Sequence, residues 1–249
     1  MASTSPAAQT VRMNINIETK TIGELALEAP YAIAVMEKWQ IDYCCRGHQS
    51  VAEACKNAGV MPEELLTAIG DPLTRDDSDW QAKSLTELQN YLYSVHHTYT
   101  RQAIETISLL SDKVANRHGG NHPEVLAVQR LFTELADELT PHLMKEEQIL
   151  FPYVEELEAA SDSDPRPSSC FGTIANPIRV MLMEHETAGD KLVQLRGATS
   201  GYVLPQDACL SFRALYERLA DLEKDLHQHI HLENNLLFPR ALRLEAYRP

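Results

Sequence analysis

The stretch HLMKEEQILFP at residues 142–152 occurs a second time, as HIHLENNLLFP, at residues 229–239. Both stretches contain a histidine, a glutamate four residues later, and Leu-Phe-Pro eight to ten residues after the histidine. Residues four apart lie on the same face of an α-helix, so each His–Glu pair is expected to point in one direction. The repeat therefore indicates two equivalent half-sites on two helices.

Leucines at helical spacing precede both pairs and place them on a buried face. They are Leu131, Leu135 and Leu139 before His142, and Leu215, Leu219, Leu222 and Leu226 before His229. In the first stretch the apolar stripe is expected to continue through Ile149 and Leu150. A buried ionised carboxylate is unfavourable unless it is compensated. A multivalent cation would compensate it, and a hydrogen-bonded His–Glu couple is the alternative.

Composition narrows the class of protein. The chain has 249 residues, a formal net charge of −14 and 6% aromatic residues. The negative charge argues against nucleic acid or an anionic membrane as a partner. Helix-forming residues dominate and long apolar–polar alternation is missing, so an all-α fold is expected. The sequence has no apolar run of 18 residues, no signal-peptide pattern and no disulfide framework among its five cysteines, which predicts a cytoplasmic protein.

Helix signals divide the chain into four parts. We predict a flexible tail at 1–13, a small helical domain at 14–72, a linker at 73–83 and an antiparallel four-helix bundle at 84–249. Capping boxes predict the starts of three helices, at Thr21 with Glu24, Ser50 with Glu53, and Ser84 with Glu87. Prolines predict the starts of the others, at Pro62 in the small domain and at Pro123, Pro177 and Pro205 in the bundle.

Each His–Glu pair has a further histidine on the preceding helix. His97 lies 45 residues before His142, and His185 lies 44 residues before His229. Two such hairpins would place four histidines and two glutamates around two metal ions, with the carboxylates bridging them. Imidazole and carboxylate ligands suit iron, manganese or zinc, and carboxylate-bridged pairs in bundles are typically redox metals.

The remaining histidines of these helices leave one choice open. His96 competes with His97, because the leucine stripe of that helix points slightly towards His96. His227 and His231 lie about 160° around the helix from His229 and are predicted to face solvent.

The repeated HxxxE and Leu-Phe-Pro motifs, together with MLMEH at 181–185, resemble the hemerythrin-like domain. The segment IDYCCRGHQSVAEAC at 41–55 resembles the small di-cysteine domain that precedes it in the iron–sulfur cluster repair (repair of iron centres) proteins. The resemblance covers roughly residues 14–245, with both domains in that order. It implies a hemerythrin-like bundle that holds two non-haem iron ions (Fe²⁺/Fe³⁺) with an oxo or hydroxo bridge.

Carried over by position, the iron ligands of the family fall on His97, His142, Glu146, His185, His229 and Glu233. Glu138 and Glu184 match acidic positions near the family's centre, where they could handle protons. The paired cysteines of the family fall on Cys44 and Cys45, as thiol or redox groups, and Cys55 could belong to the same site. The family often continues with two glycines; Arg46 follows here instead, and it would lower the pKa of a neighbouring thiol.

The resemblance implies repair of iron–sulfur clusters damaged by nitric oxide or oxidative stress. The partners would be nitric oxide or another small diatomic molecule, and damaged iron–sulfur proteins as clients. The alternatives are a di-iron protein that scavenges nitric oxide, one that reduces it as an enzyme, and a structural helical protein without metal. An oxygen-carrying hemerythrin is less favoured, since it needs a fifth histidine. The oligomeric state stays open, a homodimer included.

Overall fold

The computed structural model describes residues 16–69, 80–160 and 166–247. The predicted tail and residues 73–79 of the predicted linker lie outside these ranges. Contacts divide the chain into two compact units, Met1–Ser78 and Asp79–Pro249. In the described ranges the extended pairing is limited to one isolated bridge between Thr21 and Ser50, so the expected all-α fold is confirmed.

The first unit consists of short helices. They are Ile22–Glu28, Pro30–Ala32 (a 3₁₀ turn), Ile33–Lys38, Val51–Ala58 and Pro62–Ile69. Both predicted capping boxes are present, because Thr21 and Ser50 each accept the N–H of the glutamate three residues later and that glutamate accepts theirs in return. Pro62 begins its helix as predicted. These caps satisfy N–H groups that a short helix would otherwise leave free.

The second unit contains four long bundle helices. Bundle helix 1 comprises Leu85–Tyr91, Leu92–His97 and Thr98–His118; bundle helix 2 comprises Glu124–Lys145, Glu146–Leu150 and Phe151–Ala159; bundle helix 3 is Ala175–Ala198; bundle helix 4 comprises Leu210–Leu232, Glu233–Leu237 and Phe238–Ala246. Bundle helix 1 packs against helices 2 and 4, and helix 2 packs against helix 3. The short connection between helices 1 and 2 makes them antiparallel neighbours, as the predicted bundle requires.

The middle segments of bundle helices 1, 2 and 4 are π-helical. A π-turn, with i→i+5 hydrogen bonds, inserts one residue into an α-helix and shifts the faces that follow it. This shift explains why Ile149, predicted to be buried, is 43% exposed while Leu150 is 1% exposed. The prediction for Ile149 was wrong because it assumed an unbroken α-helical period.

Bundle helix 4 begins later than predicted. The structure starts it at Leu210, whereas the sequence pattern placed the start at Pro205. Pro205 instead accepts the N–H of Ala208 in a turn. Pro205 therefore begins a turn, and the prediction of a helix start there was wrong.

Along the bundle, the apolar core lies on one side of the layer that contains the six predicted metal ligands, which is called the ligand level below. It includes Ile107, Phe132, Leu135, Leu192 and Phe212. A second set of buried apolar residues lies beyond the ligand level along all four helices, and includes Leu88, Val154, Ile178 and Phe238. Polar side chains between these two layers are shielded from water. None of the described helices is long and apolar enough to cross a membrane.

Two glutamates, one near the C-terminal end of bundle helix 2 and one near that of bundle helix 4, accept hydrogen bonds from backbone N–H groups. The Glu158 carboxylate accepts the N–H groups of Leu85 and Thr86, at 2.7 and 2.9 Å. Glu245 accepts the Ile174 N–H at 2.9 Å and the Tyr153 hydroxyl at 2.8 Å. These contacts cap bundle helices 1 and 3, the two helices that carry His97 and His185.

Candidate metal centre

The six predicted ligand side chains lie together and are buried. Their residues, His97, His142, Glu146, His185, His229 and Glu233, are each at most 4% exposed. They form two overlapping groups of four, in which the possible ligand atoms all lie within 4.8 Å of one another. One group contains His97 and His229, the other contains His142 and His185, and Glu146 and Glu233 belong to both.

Each glutamate faces one histidine of each group. The two carboxylate oxygens of Glu146 lie 3.4 Å from His142 Nε2 and 3.5 Å from His97 Nε2. Those of Glu233 lie 3.0 Å from His229 Nε2 and 3.3 Å from His185 Nε2. Both carboxylates are therefore placed between the two groups, as bridging ligands would be.

The histidine nitrogens of each group also converge. His97 Nε2 and His229 Nε2 are 3.2 Å apart, and His142 Nε2 and His185 Nε2 are 3.0 Å apart. Two nitrogens each about 2.0–2.1 Å from one metal ion, at angles between octahedral and tetrahedral, would be about 2.9–3.4 Å apart. The observed separations fit two imidazoles that share an ion.

The carboxylates lack other partners. Both oxygens of Glu146 and one oxygen of Glu233 are buried and accept no hydrogen bond from the described residues. A buried carboxylate without a donor is strongly disfavoured, whereas a bound cation would satisfy it. Four neutral imidazoles and two carboxylates are ligands of iron, manganese and zinc, so the residues present fit a pair of such ions.

The pKa values of the buried side chains are shifted by the negative charges of the two glutamates and the positive charges of the histidines. Burial raises the pKa of Glu233, but the charges of His229 and His185 outweigh it and hold the pKa well below its ordinary value. Burial lowers the pKa of His142, but the Glu146 carboxylate outweighs it and raises the pKa to about 9. Protons on histidines thus take the place of a cation, and a metal ion would displace them.

A second layer of polar side chains orients three of the four histidines. The Nδ1–H of His97 donates to Glu147 at 2.7 Å, and Glu147 also accepts Arg101 at 2.5 Å. The Nδ1–H of His142 donates to Glu184 at 2.8 Å, which also pairs with Lys145. The Nδ1–H of His185 donates to Asn234 Oδ1 at 2.7 Å. Such contacts fix the tautomer and the ring orientation of a metal-binding histidine.

Of the two acidic residues predicted beside the centre, the structure brings only Glu184 into contact with it. The Glu138 side chain is 48% exposed and lies 3.5 Å from Lys191. Sequence reasoning missed Glu147 and Asn234. The signal was available, because each directly follows the glutamate of a repeated His–Glu pair.

The structure separates His96 from His97. The Nε2 of His97 points into the cluster, whereas His96 Nδ1 donates to Asp225 at 3.0 Å. His231 is only 3% exposed, so its predicted solvent exposure was wrong. The prediction assumed one buried stripe on bundle helix 4, but Ile230 and His231 are buried beside that stripe. His227, predicted to face solvent like His231, is half-buried.

A cavity of about 20 Å³ adjoins the cluster. Its lining includes His142, His185 and His229, together with Glu138 and Glu184. One water molecule needs a cavity of about 10–15 Å³, so this space admits a water-sized ligand beside the histidines.

The di-cysteine loop forms a separate group in the first unit. Ligand-type atoms of Asp42, Cys44 and Cys45 lie within 4.8 Å of one another, with the two sulfurs 3.8 Å apart. The hydrogen bond with Cys45 and burial raise the pKa of the Cys44 thiol well above its ordinary value. The expectation that Arg46 favours a thiolate is therefore wrong for Cys44, where the neighbouring thiol, burial and Asp42 prevail. Cys55 is buried outside this group.

Comparison with known proteins accounts for both units. Residues 90–241 match the family model of the hemerythrin HHE cation binding domain, and residues 18–72 match ScdA_N, described as a domain of unknown function (DUF542). The chain is 35% identical to the iron–sulfur cluster repair protein YtfE of Musicola paradisiaca, over 91% of this chain and 98% of the relative. It is 34% identical to YtfE of Escherichia coli O81, over 89% and 96%, and 34% identical to YtfE of Yersinia pseudotuberculosis, over 93% and 100%. The chain therefore belongs to the family of hemerythrin-like iron–sulfur cluster repair proteins.

Proposed function

We propose that this protein repairs iron–sulfur clusters in the cytoplasm, using two non-haem iron ions held in the bundle. The observation that carries the proposal is the pair of overlapping His₂Glu₂ groups that share both glutamates. The repair activity itself comes from the relatives, whose names state it. Clusters damaged by nitric oxide or oxidative stress would be the clients.

His97 and His229 would hold one iron, and His142 and His185 the other. Glu146 and Glu233 would bridge them, since each faces one histidine of either group. When bound, the iron pair supplies redox chemistry and metal that can be handed to a client. Two ferrous ions would carry four positive charges and two glutamates would neutralise two, which would leave a cationic centre able to accept an oxo or hydroxo bridge on oxidation.

The protein side of the centre has three tasks. The apolar layers on either side exclude water, so the carboxylates have few competing ligands. Glu147, Glu184 and Asn234 keep the Nδ1 protons of three histidines, so that each Nε2 lone pair faces inward. Lys145 beside Glu184 and Arg101 beside Glu147 hold the pKa of both carboxyls below their ordinary values against the effect of burial. Both remain acceptors at neutral pH.

A second candidate function, binding or reduction of nitric oxide, is favoured by the small cavity beside His142, His185 and His229. Its volume fits a water-sized or diatomic ligand. In this alternative the protein scavenges nitric oxide or, as an enzyme, reduces two molecules of it to nitrous oxide and water, with two protons and the two electrons that a diferrous pair would supply.

The test of repair uses the full chain loaded with iron. It should contain about two irons per chain and reactivate an iron–sulfur enzyme that nitric oxide has inactivated. Glu146→Leu and Glu233→Leu should lose iron and reactivation together, whereas Glu156→Leu, a matched change at an exposed position of the same bundle helix as Glu146, should keep both. A folded, iron-free wild-type protein, or iron-loaded protein that fails to reactivate the enzyme, would overturn the proposal.

Two further experiments separate the alternatives. Anaerobic nitric oxide titration of the reduced protein distinguishes catalytic formation of nitrous oxide, which marks a reductase, from a stable nitrosyl adduct, which marks a scavenger. A Cys44→Ala, Cys45→Ala double variant tests the role of the loop thiols. Equal reactivation by this variant would exclude them from repair.

A further inference from the structure

The polar layer behind the histidines follows the sequence repeat. Glu147 comes directly after Glu146 and accepts the Nδ1–H of His97. Asn234 comes directly after Glu233 and accepts the Nδ1–H of His185. The residue after each candidate bridging glutamate thus supports the histidine contributed by the first helix of a hairpin. The two helical hairpins, bundle helices 1 and 2 and bundle helices 3 and 4, therefore share this hydrogen bond.

The correspondence fails for the other two histidines. Glu184, the residue before His185, accepts the Nδ1–H of His142 at 2.8 Å. The equivalent residue in the other half, before His97, is His96. Its ring stacks on His229, with centroids 5.5 Å apart and planes 13° apart, and its own Nδ1 donates to Asp225. His96 therefore does not serve His229 as Glu184 serves His142.

His229 is consequently the least supported of the four histidines. Its Nδ1 is buried and has no hydrogen-bond partner in the described part of the chain. Neither a carboxylate, a carbonyl nor an amide oxygen among these residues holds its tautomer or its ring orientation. A buried N–H without an acceptor is also unfavourable in itself.

From this asymmetry we infer that the two metal positions are unequal, and that the position formed by His97 and His229 is the weaker and releases its metal first. Loss of one partner behind a metal-binding histidine typically lowers metal affinity about 10–100-fold. The position of His142 and His185 has two such partners, Glu184 and Asn234, and the position of His97 and His229 has one, Glu147. The inference rests on the proposed function, since iron is the metal concerned. It would let the protein give up one iron while the other stays bound.

The test is timed removal of Fe²⁺ by a coloured ferrous chelator, under anaerobic conditions, from the full chain loaded with two irons. The wild type should release one iron per chain in a fast phase and one in a slow phase. Two matched variants identify the phases, because each removes one supporting carboxylate and leaves all six candidate ligands in place. Glu147→Ala should accelerate the fast phase and leave the slow phase unchanged. Glu184→Ala should accelerate the slow phase by about 10–100-fold and bring the two phases together.

Release of both irons in a single phase from the wild type would overturn the inference. So would acceleration of the slow phase by Glu147→Ala. Either result would leave the proposed repair function intact, because the protein would still bind two irons. A protein that binds no iron would instead overturn the proposed function, so the two failures are distinguishable. The readout is metal release, which needs no repair activity.

Discussion

Replacing Glu146 by leucine should change the stability of the bundle in opposite directions with and without metal. Glu146 is 0% exposed, and its oxygens accept no hydrogen bond from the described residues. The nearest ligand-type nitrogens, Nε2 of His142 and His97, lie at 3.4 and 3.5 Å, too far for strong hydrogen bonds. Among the described residues, protonated histidine is what compensates this carboxylate in the metal-free protein.

The size of the stability change follows from the burial of the ion pair between Glu146 and His142. Replacing a buried ion pair by an apolar side chain of similar volume is often neutral or stabilising by about 1–4 kcal/mol. In the variant, His142 can become neutral and still donate its Nδ1–H to Glu184 at 2.8 Å. A gain of about 2 kcal/mol would raise the melting temperature of a unit the size of Asp79–Pro249 by about 4–8 °C. With Fe²⁺ at a hundred times its Kd, each bound ion stabilises the wild type by about 2.7 kcal/mol, which the variant loses.

The assay is differential scanning calorimetry, which can resolve the transition of the bundle from that of the first unit. Metal-free Glu146→Leu should melt above the metal-free wild type and below the iron-loaded wild type. Glu156→Leu, the same substitution at an exposed position of the same bundle helix, should change the free energy of unfolding by no more than about 0.5 kcal/mol with or without iron. If Glu146→Leu lowers stability equally with and without iron, Glu146 is part of a structural His–Glu couple and the reasoning is refuted.

Three further predictions concern residues outside the cluster of candidate metal ligands. Glu158→Ala should lower the free energy of unfolding of the bundle by about 1.5–3 kcal/mol in chemical denaturation, because two backbone N–H groups of bundle helix 1 lose a charged acceptor. Hydrogen bonds hold the pKa of Glu245 below its ordinary value of 4.5 despite burial. Its stabilisation should therefore be complete above pH 4.5 and be lost as the pH falls through the folded-state pKa, and a Glu245→Gln variant should lack this acid-sensitive component. Alkylation at pH 8, followed by mass spectrometry, should label Cys45 before Cys44 and Cys55. Burial raises the pKa of Cys55 to about 11, and the pKa of Cys44 is also raised, so fewer of these thiols are in the reactive thiolate form. Equal labelling rates would contradict this order.

The fold and the six clustered side chains were predictable because they depend on short-range periodicity. A histidine and a glutamate four residues apart share a helix face, and leucines at the same spacing show that this face is buried. The repeat of the pair, and of the distance to a preceding histidine, then relates the two hairpins. Capping boxes predicted helix starts for a similar reason, since both hydrogen bonds join residues three apart.

The features that sequence reasoning missed depend on local changes of helix type or on contacts between helices. Ile149 is exposed because it lies in a π-turn, and the spacing of apolar residues does not reveal an i→i+5 turn. His231 is buried because bundle helix 4 is covered on more than one side. The choice between His96 and His97 depends on Asp225 of another helix, which attracts His96 away from the cluster. The burial of His231 and the choice of His97 therefore depend on neighbouring helices, which the pattern along one helix does not specify.

The π-turns also explain why both His–Glu pairs are followed by Phe-Pro. In bundle helices 2 and 4 the π-turn begins at the glutamate and ends just before the phenylalanine. Pro152 and Pro239 then lie in the first turn of the α-helical segment that resumes, where a backbone N–H has no regular acceptor. Proline has no N–H to lose there, and its fixed φ suits the first turn of a helix.

The π-turn of bundle helix 1 has no proline after it, so proline is not what creates these turns. What the three turns share is a buried candidate ligand: His97, Glu146 or Glu233. In helices 2 and 4 the same turn also directs the next side chain, Glu147 or Asn234, to the back of a histidine on the neighbouring helix. One turn thus positions both a candidate bridging carboxylate and the side chain that orients a candidate metal-binding histidine. The repeated Leu-Phe-Pro is best understood as the sequence that an α-helix can use to resume after such a turn.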